Sequence, residues 1–393
     1  MGPTLSESGV SAEACKRTGL DERDILMLRA CLLDGDDGRQ AVERLLPHLG
    51  EPDRQDWISL KQIPLLHRNL GHLGLEDPWN GKMKGVRRLF WARTRKRLGV
   101  AENSIIRLNQ AGIPVMVMKG AALVASGLVS VDIRPMDDVD VLVPEGRMGE
   151  TLRVLMPHGW TARFPIEEEP IAHAIETDDY DGRCLTLKTA LPDGDIELDI
   201  HQFMSHFDLR TGTDSGVWKR SSEGQLGRAQ VRIPCLEDQL LLICTHAASQ
   251  VKSDEETSPT LRWVTDAASL LRHGNDSIDW DLFVSEARRR HVTVMVYDAL
   301  QLLSVLVDVR VPAAVMRDLW NGRRRLEAAC TRSFRVPTYQ RSLWQTMLAK
   351  LGGYCWRQPD MFDTSMPKLF VASLRYVAKT ARRAARRDAD AFR

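Results

Sequence analysis

The 393-residue sequence predicts an α/β (α+β) protein in which a small mixed-sheet core is flanked by N-terminal and C-terminal helical regions. Helical apolar periodicity runs up to residue 112 and returns beyond about 234, while the β-branched or alternating runs VMVM, VDVLV and ELDI lie between. With 43% hydrophobic residues, a chain of this length can bury a full core and divide into two or three packed units.

Residues 1–20 are polar and small with no apolar period, and are expected to be a disordered N-terminus. Over 21–112, Ile25, Leu26, Leu28 and Leu32 lie close to one helical stripe, and Ala41, Leu45 and Leu49 form another. PLLHRNLGHLG and the long VRRLFWARTRKRLGVAENSIIRLNQAG keep the same period until Gly112-Ile113-Pro114 stops it. The core, 113–210, begins with the VMVM strand and contains VDVLV and a helix around GRMGETLRVLMPHG. A hairpin element, RCLTLKTA, then leads through the PDGD turn at 192–195 into IELDIH. A helical domain follows over 211–330, built from CLEDQLLLICTHAASQ, LRWVTDAASLLRH, WDLFVSEARRRH and VMVYDALQLLSVLV. The remaining 331–393 form a variable helical extension. Its last segment sets Phe370, Leu374, Val377 and Ala381 on one face and a strongly basic face opposite, which reads first as a solvated face and second as a contact for an anionic partner.

Net charge is +1 with 27% charged residues, so no global charge points to nucleic acid or to an acidic partner. The seven cysteines are scattered without a CxxC pair or zinc-ligand spacing, and read as reduced thiols of a cytoplasmic protein. The first residues lack a basic flank followed by an apolar stretch, and no apolar run is long enough to span a bilayer. MGPTLS formally matches a myristoylation pattern, but Pro3 and the shortness of the motif favour chance.

The chemistry concentrates in two strands. In VDVLV, Asp138 and Asp140 share a face with Leu142, while Val139, Val141 and Val143 point the other way. At roughly 6 Å and an effective dielectric near 20, two such carboxylates repel by roughly 3 kcal/mol, and a hard divalent cation such as Mg2+ (or Mn2+) compensates. DIELDIH repeats the device, with Asp195, Glu197, Asp199 and His201 on one face and Ile196, Leu198 and Ile200 on the other. If the strands are neighbours, three or more carboxylates converge, as two-metal phosphoryl chemistry requires. Upstream, Lys119-Gly120 follows a strand and opens a helix, where backbone N–H groups and a lysine charge suit a phosphate. Arg134 sits in a Pro-containing turn and offers a guanidinium to phosphate oxygens.

Plainer readings stand beside these. Asp138 and Asp140 also fit a solvated acidic turn capping an edge strand, and His201 a hydrogen-bonded strand end. His246, on an apolar helix, reads as a satisfied core histidine. Arg262 and Asp266, four residues apart beside Trp263, fit either a nucleotide contact or an ordinary helix ion pair. An EF-hand is excluded by the absence of its glycine and distal glutamate. A DxD glycosyltransferase is a third reading, disfavoured because its acidic pair usually ends a strand and this one starts it.

The order of strand, glycine turn, helix, hDhDh and a later third carboxylate resembles the polymerase-β-like nucleotidyltransferase superfamily. More narrowly, KGAAL, RPMDDVDVLV, ELDIH, EDQLLLICTHAA and LRWVTDAASLL resemble a family of bacterial uncharacterised nucleotidyltransferases over about residues 113–285. The resemblance implies Mg-dependent transfer of a nucleoside monophosphate from an NTP to a hydroxyl or phosphate acceptor. That acceptor would be a small molecule or peptide of a biosynthetic cluster. Asp138, Asp140 and Asp199 would be the metal-binding catalytic residues, with Asp199 orienting or deprotonating the acceptor. Lys119, Gly120, Arg134, Arg262 and Asp266 would bind the nucleotide. Glu197 shares the face of Asp199 and either could be the third ligand, the family pattern favouring Asp199; Glu197 and His201 would then support the carboxylates. The superfamily's usual Gly-Ser turn is here Gly120-Ala121 preceded by Lys119. That departure keeps open a catalytically silent module of the same fold that holds a nucleotide or a partner.

Overall fold

The computed structural model describes residues 20–50, 57–79, 81–177, 180, 184–191, 194–250, 261–336, 340–357 and 359–363. The first twenty residues (apart from Leu20), the first half of the PDGD turn and the basic C-terminal helix expected from the sequence lie outside the described residues.

The N-terminal helices are α1 (Glu22–Leu32), α2 (Gly35–Leu45), α3 (Trp57–Leu60), α4 (Ile63–His72) and the long α5 (Lys82–Gln110). The side chain of Asp21 caps α1 by accepting from the Asp24 amide. Gly112, at φ +71, lets the chain turn out of α5 toward the sheet. The core carries β1 (Met116–Val117), α6 (Lys119–Ala125), β2 (Asp138–Leu142), α7 (Met148–Leu155), β3 (Thr161–Ala162) and α8 (Glu168–Thr177). It continues with β4 (Cys184–Thr189), β5 (Ile196–His201), α9 (Ser215–Arg220), β6 (Ser222–Leu226) and β7 (Ala229–Ile233). Among the described residues these strands form a seven-stranded sheet in the order β3-β4-β5-β2-β1-β7-β6. It is mixed, because β2–β5 and β1–β7 run parallel while the other neighbours are antiparallel.

VMVM yields only two ladder residues. Pro114 brings no N–H to the start of the run, and at its end Lys119 turns into α6 with φ +48.

The alternation read from β2 and β5 sets the two faces of the sheet. Val139, Val141, Leu198 and Ile200 are buried with Leu185 and Leu187 of β4 beneath Leu98 and Ile105 of α5 and Leu152 and Leu155 of α7. Burying each such side chain contributes about 1.5–3 kcal/mol, enough to fix which residues face the other way. The opposite face carries the carboxylates.

That face is roofed by helices α10 (Leu236–Gln250) and α11 (Arg262–Gly274). Beyond them lie α12 (Trp280–Arg289), α13 (Thr293–Val307), α14 (Ala313–Gly322), α15 (Arg325–Arg335) and α16 (Leu343–Arg357). The two helical regions flanking the sheet share one core: Ile25, Leu28, Leu45 and Leu66 are buried together with Leu240, Leu270, Met295 and Leu303. Backbone contacts tie the same bodies, with Arg29 Nε donating to the Leu306 carbonyl at 3.1 Å and Arg272 reaching the Leu32 carbonyl. Among the described residues, no helix is long and apolar enough to cross a membrane.

Candidate active site

Residues paired across two parallel strands lie on the same face, so register decides which acidic groups meet. In the β2–β5 ladder Asp138 pairs with Glu197, Asp140 with Asp199 and Leu142 with His201. The two acidic strands are therefore direct neighbours, and Asp138, Asp140 and Asp199 line one cavity of about 430 Å³. That volume suits a nucleotide-sized ligand.

Asp140 sits deepest, 5% exposed. Its Oδ1 meets the Lys119 ammonium and lies 3.0 Å from His201 Nε2. Burial pushes its carboxyl toward neutrality, but the Lys119 charge and the His201 contact outweigh that and hold it far below the usual carboxylate range. An ionised carboxylate only accepts, so Nε2 carries the proton between them. Lys119 gains reciprocally: burial lowers its pKa, yet Asp140 outweighs this and raises it.

Its neighbours behave oppositely. Burial, then the Asp140 charge, raises the Asp138 carboxyl. Burial and the same charge raise Asp199, against a 2.7 Å hydrogen bond donated by Thr186 Oγ1 of β4. Two desolvated carboxyls beside a third that is already ionised form a receptor for positive charge. The donors are hard oxygens from adjacent strands, so the residues present fit Mg2+ or Mn2+. A second donor set touches the first, for Cys184, Asp199 and His201 bring potential ligand atoms within 4.8 Å of one another.

Lys119 reaches Asp140 from a strained position, since φ +48 is unfavourable for a side chain by about 1–2 kcal/mol. Gly120 follows at a close approach of side chains. A Cβ on it would stand 3.0 Å from Arg134 Cζ and Nη2 and from Met136 Sδ. Arg134 is buried and committed to Asp266, donating from Nε at 2.6 Å and Nη2 at 2.7 Å, while Nη1 donates to the Pro135 carbonyl. Two distant sequence fragments, RPMDD and RWVTD, thus meet in one fork-to-fork ion pair beneath the glycine turn. In this state both partners support the cavity wall, with their polar atoms turned to each other.

At the mouth, the Asp137 carboxylate receives Lys61 and, at 3.1 Å, Arg262 Nη2. Burial opposes ionisation of Asp137, but Lys61 and Arg262 hold it below its ordinary value. Trp263 lines the same wall. Glu197, opposite Asp138, pairs with Arg163 at the edge of the face. His246 lines the cavity and stacks on His206 at 6.4 Å between ring centroids, and burial, helped by the Lys119 charge, lowers its pKa to about 4.

The sequence reading missed Lys61, Asp137 and Cys184. Lys61 lies in a polar link between two helices and carries no local signal. Asp137 was visible as the first half of a doubled aspartate. Cys184 is revealed only by the β4–β5 register, which sets it opposite His201.

A mixed sheet with paired acidic strands, a glycine turn and two roofing helices is consistent with a nucleotidyltransferase-family domain. Residues 61–308 match the family described as "Uncharacterised nucleotidyltransferase", and since that is more than half of the 393 residues, the chain belongs to it. No curated protein matches. Among solved structures, an antigenic nucleotidyltransferase-like protein from Paracoccidioides brasiliensis is similar at 14% identity with a TM-score of 0.31. That similarity covers 59% of this chain and 96% of the other.

Proposed function

We propose that the chain is a Mg-dependent nucleotidyltransferase moving a nucleoside monophosphate from an NTP to a hydroxyl or phosphate acceptor on a small molecule or peptide. The observation that carries this reading is the register of β2 on β5, which sets Asp140 opposite Asp199 with Asp138 on the same face of the cavity. Asp138, Asp140 and Asp199 would hold Mg2+ or Mn2+. When bound, such ions supply charge neutralisation to the attacking oxygen and to the departing pyrophosphate. Lys119 and the Gly120 turn would face the phosphates, and Arg262, with Lys61 beside it, would meet them from the roof. Asp199, fixed through one oxygen by Thr186, would orient the acceptor and receive its proton. Arg134 and Asp266 would keep the glycine turn in place.

Incubation with each labelled NTP and a panel of hydroxyl and phosphate acceptors, with Mg2+, tests the reading. Transfer with pyrophosphate release is expected from the wild type, and a loss of about 10²-fold or more from Asp138→Ala and Asp140→Ala. Equal turnover by wild type and variants ends the proposal.

One observation favours a second reading. Lys119 and His201 already satisfy Asp140, which suits a module that holds a nucleotide without transferring it. Thermal stabilisation by NTP and Mg2+ without any product by mass spectrometry supports that module; product formation excludes it.

A further inference from the structure

Beside the acidic trio, one corner of the same face carries donors of a different chemical kind. Cys184 on β4 is the register partner of His201 on β5, and Asp199 lies two residues before His201 on the same face. Cys184 Sγ and His201 Nε2 are 3.6 Å apart, and the Cys184 sulfur, a ring nitrogen of His201 and an Asp199 oxygen all lie within 4.8 Å of one another. Tetrahedral zinc, with bonds of about 2.3 Å to sulfur and about 2.0–2.1 Å to nitrogen, separates those two donors by roughly 3.6 Å. The backbone ladder therefore already sets the sulfur–nitrogen spacing that the ion requires.

We propose that Cys184, Asp199 and His201 form a binding site for a thiophilic divalent ion such as Zn2+, with its fourth position open to the cavity. Thiolate and imidazole select Zn2+ over Mg2+, whereas the aspartates alone do not. Three protein ligands with one open position is the arrangement of an accessible zinc site, as opposed to a closed structural one. Binding releases the Cys184 thiol proton to solvent and moves the His201 ring proton from Nε2 to Nδ1, freeing Nε2 for the metal. Asp140 loses the His201 contact and keeps Lys119. Thr186 leaves Asp199 one oxygen for the ion. Asp199 is then shared between a soft-metal site and the acidic trio, so occupancy by Zn2+ withdraws it from the trio.

The binding claim is tested without any transfer assay. Metal-free full-length protein is titrated with Co2+ and followed by absorption. The expected result is one thiolate-bound Co2+ per chain, seen as a thiolate-to-cobalt charge-transfer band that one equivalent of Zn2+ bleaches and one equivalent of Mg2+ does not. Cys184→Ser abolishes the band and weakens Zn2+ binding by about tenfold or more. His201→Ala lowers the affinity while leaving the circular dichroism of the fold unchanged, and Cys235→Ser retains the band. Cobalt binding without a thiolate band, or a band that survives Cys184→Ser, overturns the proposal. Loss of nucleotidyl transfer would not touch it.

Discussion

Lys119, Gly120 and Arg134 show how a single side chain constrains its neighbours. Gly120 is required by a close approach, not by its own φ, so a methyl group there presses on the Arg134 guanidinium and the Met136 sulfur. Gly120→Ala is expected to cost about 1–3 kcal/mol, read as a lower denaturant midpoint at unchanged slope. A wild-type midpoint would mean that Arg134 moves aside at no cost. Asp266→Ala is more severe, because it strands a buried guanidinium: about 3–5 kcal/mol by the same measurement. The sequence made all three residues visible as motif members, but it could not show that Arg134 turns to Asp266. That contact spans 132 positions and leaves no local pattern.

At the scale of elements, the site depends on strand register. The acidic alternation in β2 and β5 was legible because burial of one face enforces a period of two. Their adjacency was not, since a helix, a short strand, another helix and β4 separate them in sequence. Nor was the mouth, where the link before α4 brings Lys61 onto Asp137. Leu198 lies on the buried face between Glu197 and Asp199, and Leu198→Ala removes packing beneath both. A loss of about 2–5 kcal/mol is expected by chemical denaturation. If the loss falls below about 1 kcal/mol, the face is less tightly packed than described.

Across the whole molecule, a second ionic centre fastens the sheet to the far helices. The Asp208 side chain is fully buried and bonded to Arg210, Thr213 and Arg289, and its backbone N–H donates to the Trp356 carbonyl at 2.6 Å. Burial pushes its carboxyl up, but the bonds from Arg210 and Thr213 and the Arg290 charge outweigh this and leave it below its ordinary value. A depressed carboxylate stabilises the fold above its unfolded pKa, about 3.9, and that contribution is lost as pH falls through the folded value. Acid unfolding should therefore steepen below about pH 4 in the wild type. Asp208→Asn should be less stable at neutral pH and show a shallower acid slope in pH-resolved thermal melts. Identical slopes would remove Asp208 from the account.

The shared core of the flanking helices bears on how the protein is made. Helix α1 rests on α13, so an upstream helix waits for a partner whose contact lies 277 residues behind it. Lys61 belongs to that upstream portion, and the mouth of the cavity is complete only once Arg262 of α11 has also been made. A nascent chain halted before α13 would carry every acidic residue of the pocket and still present an apolar seam to chaperones.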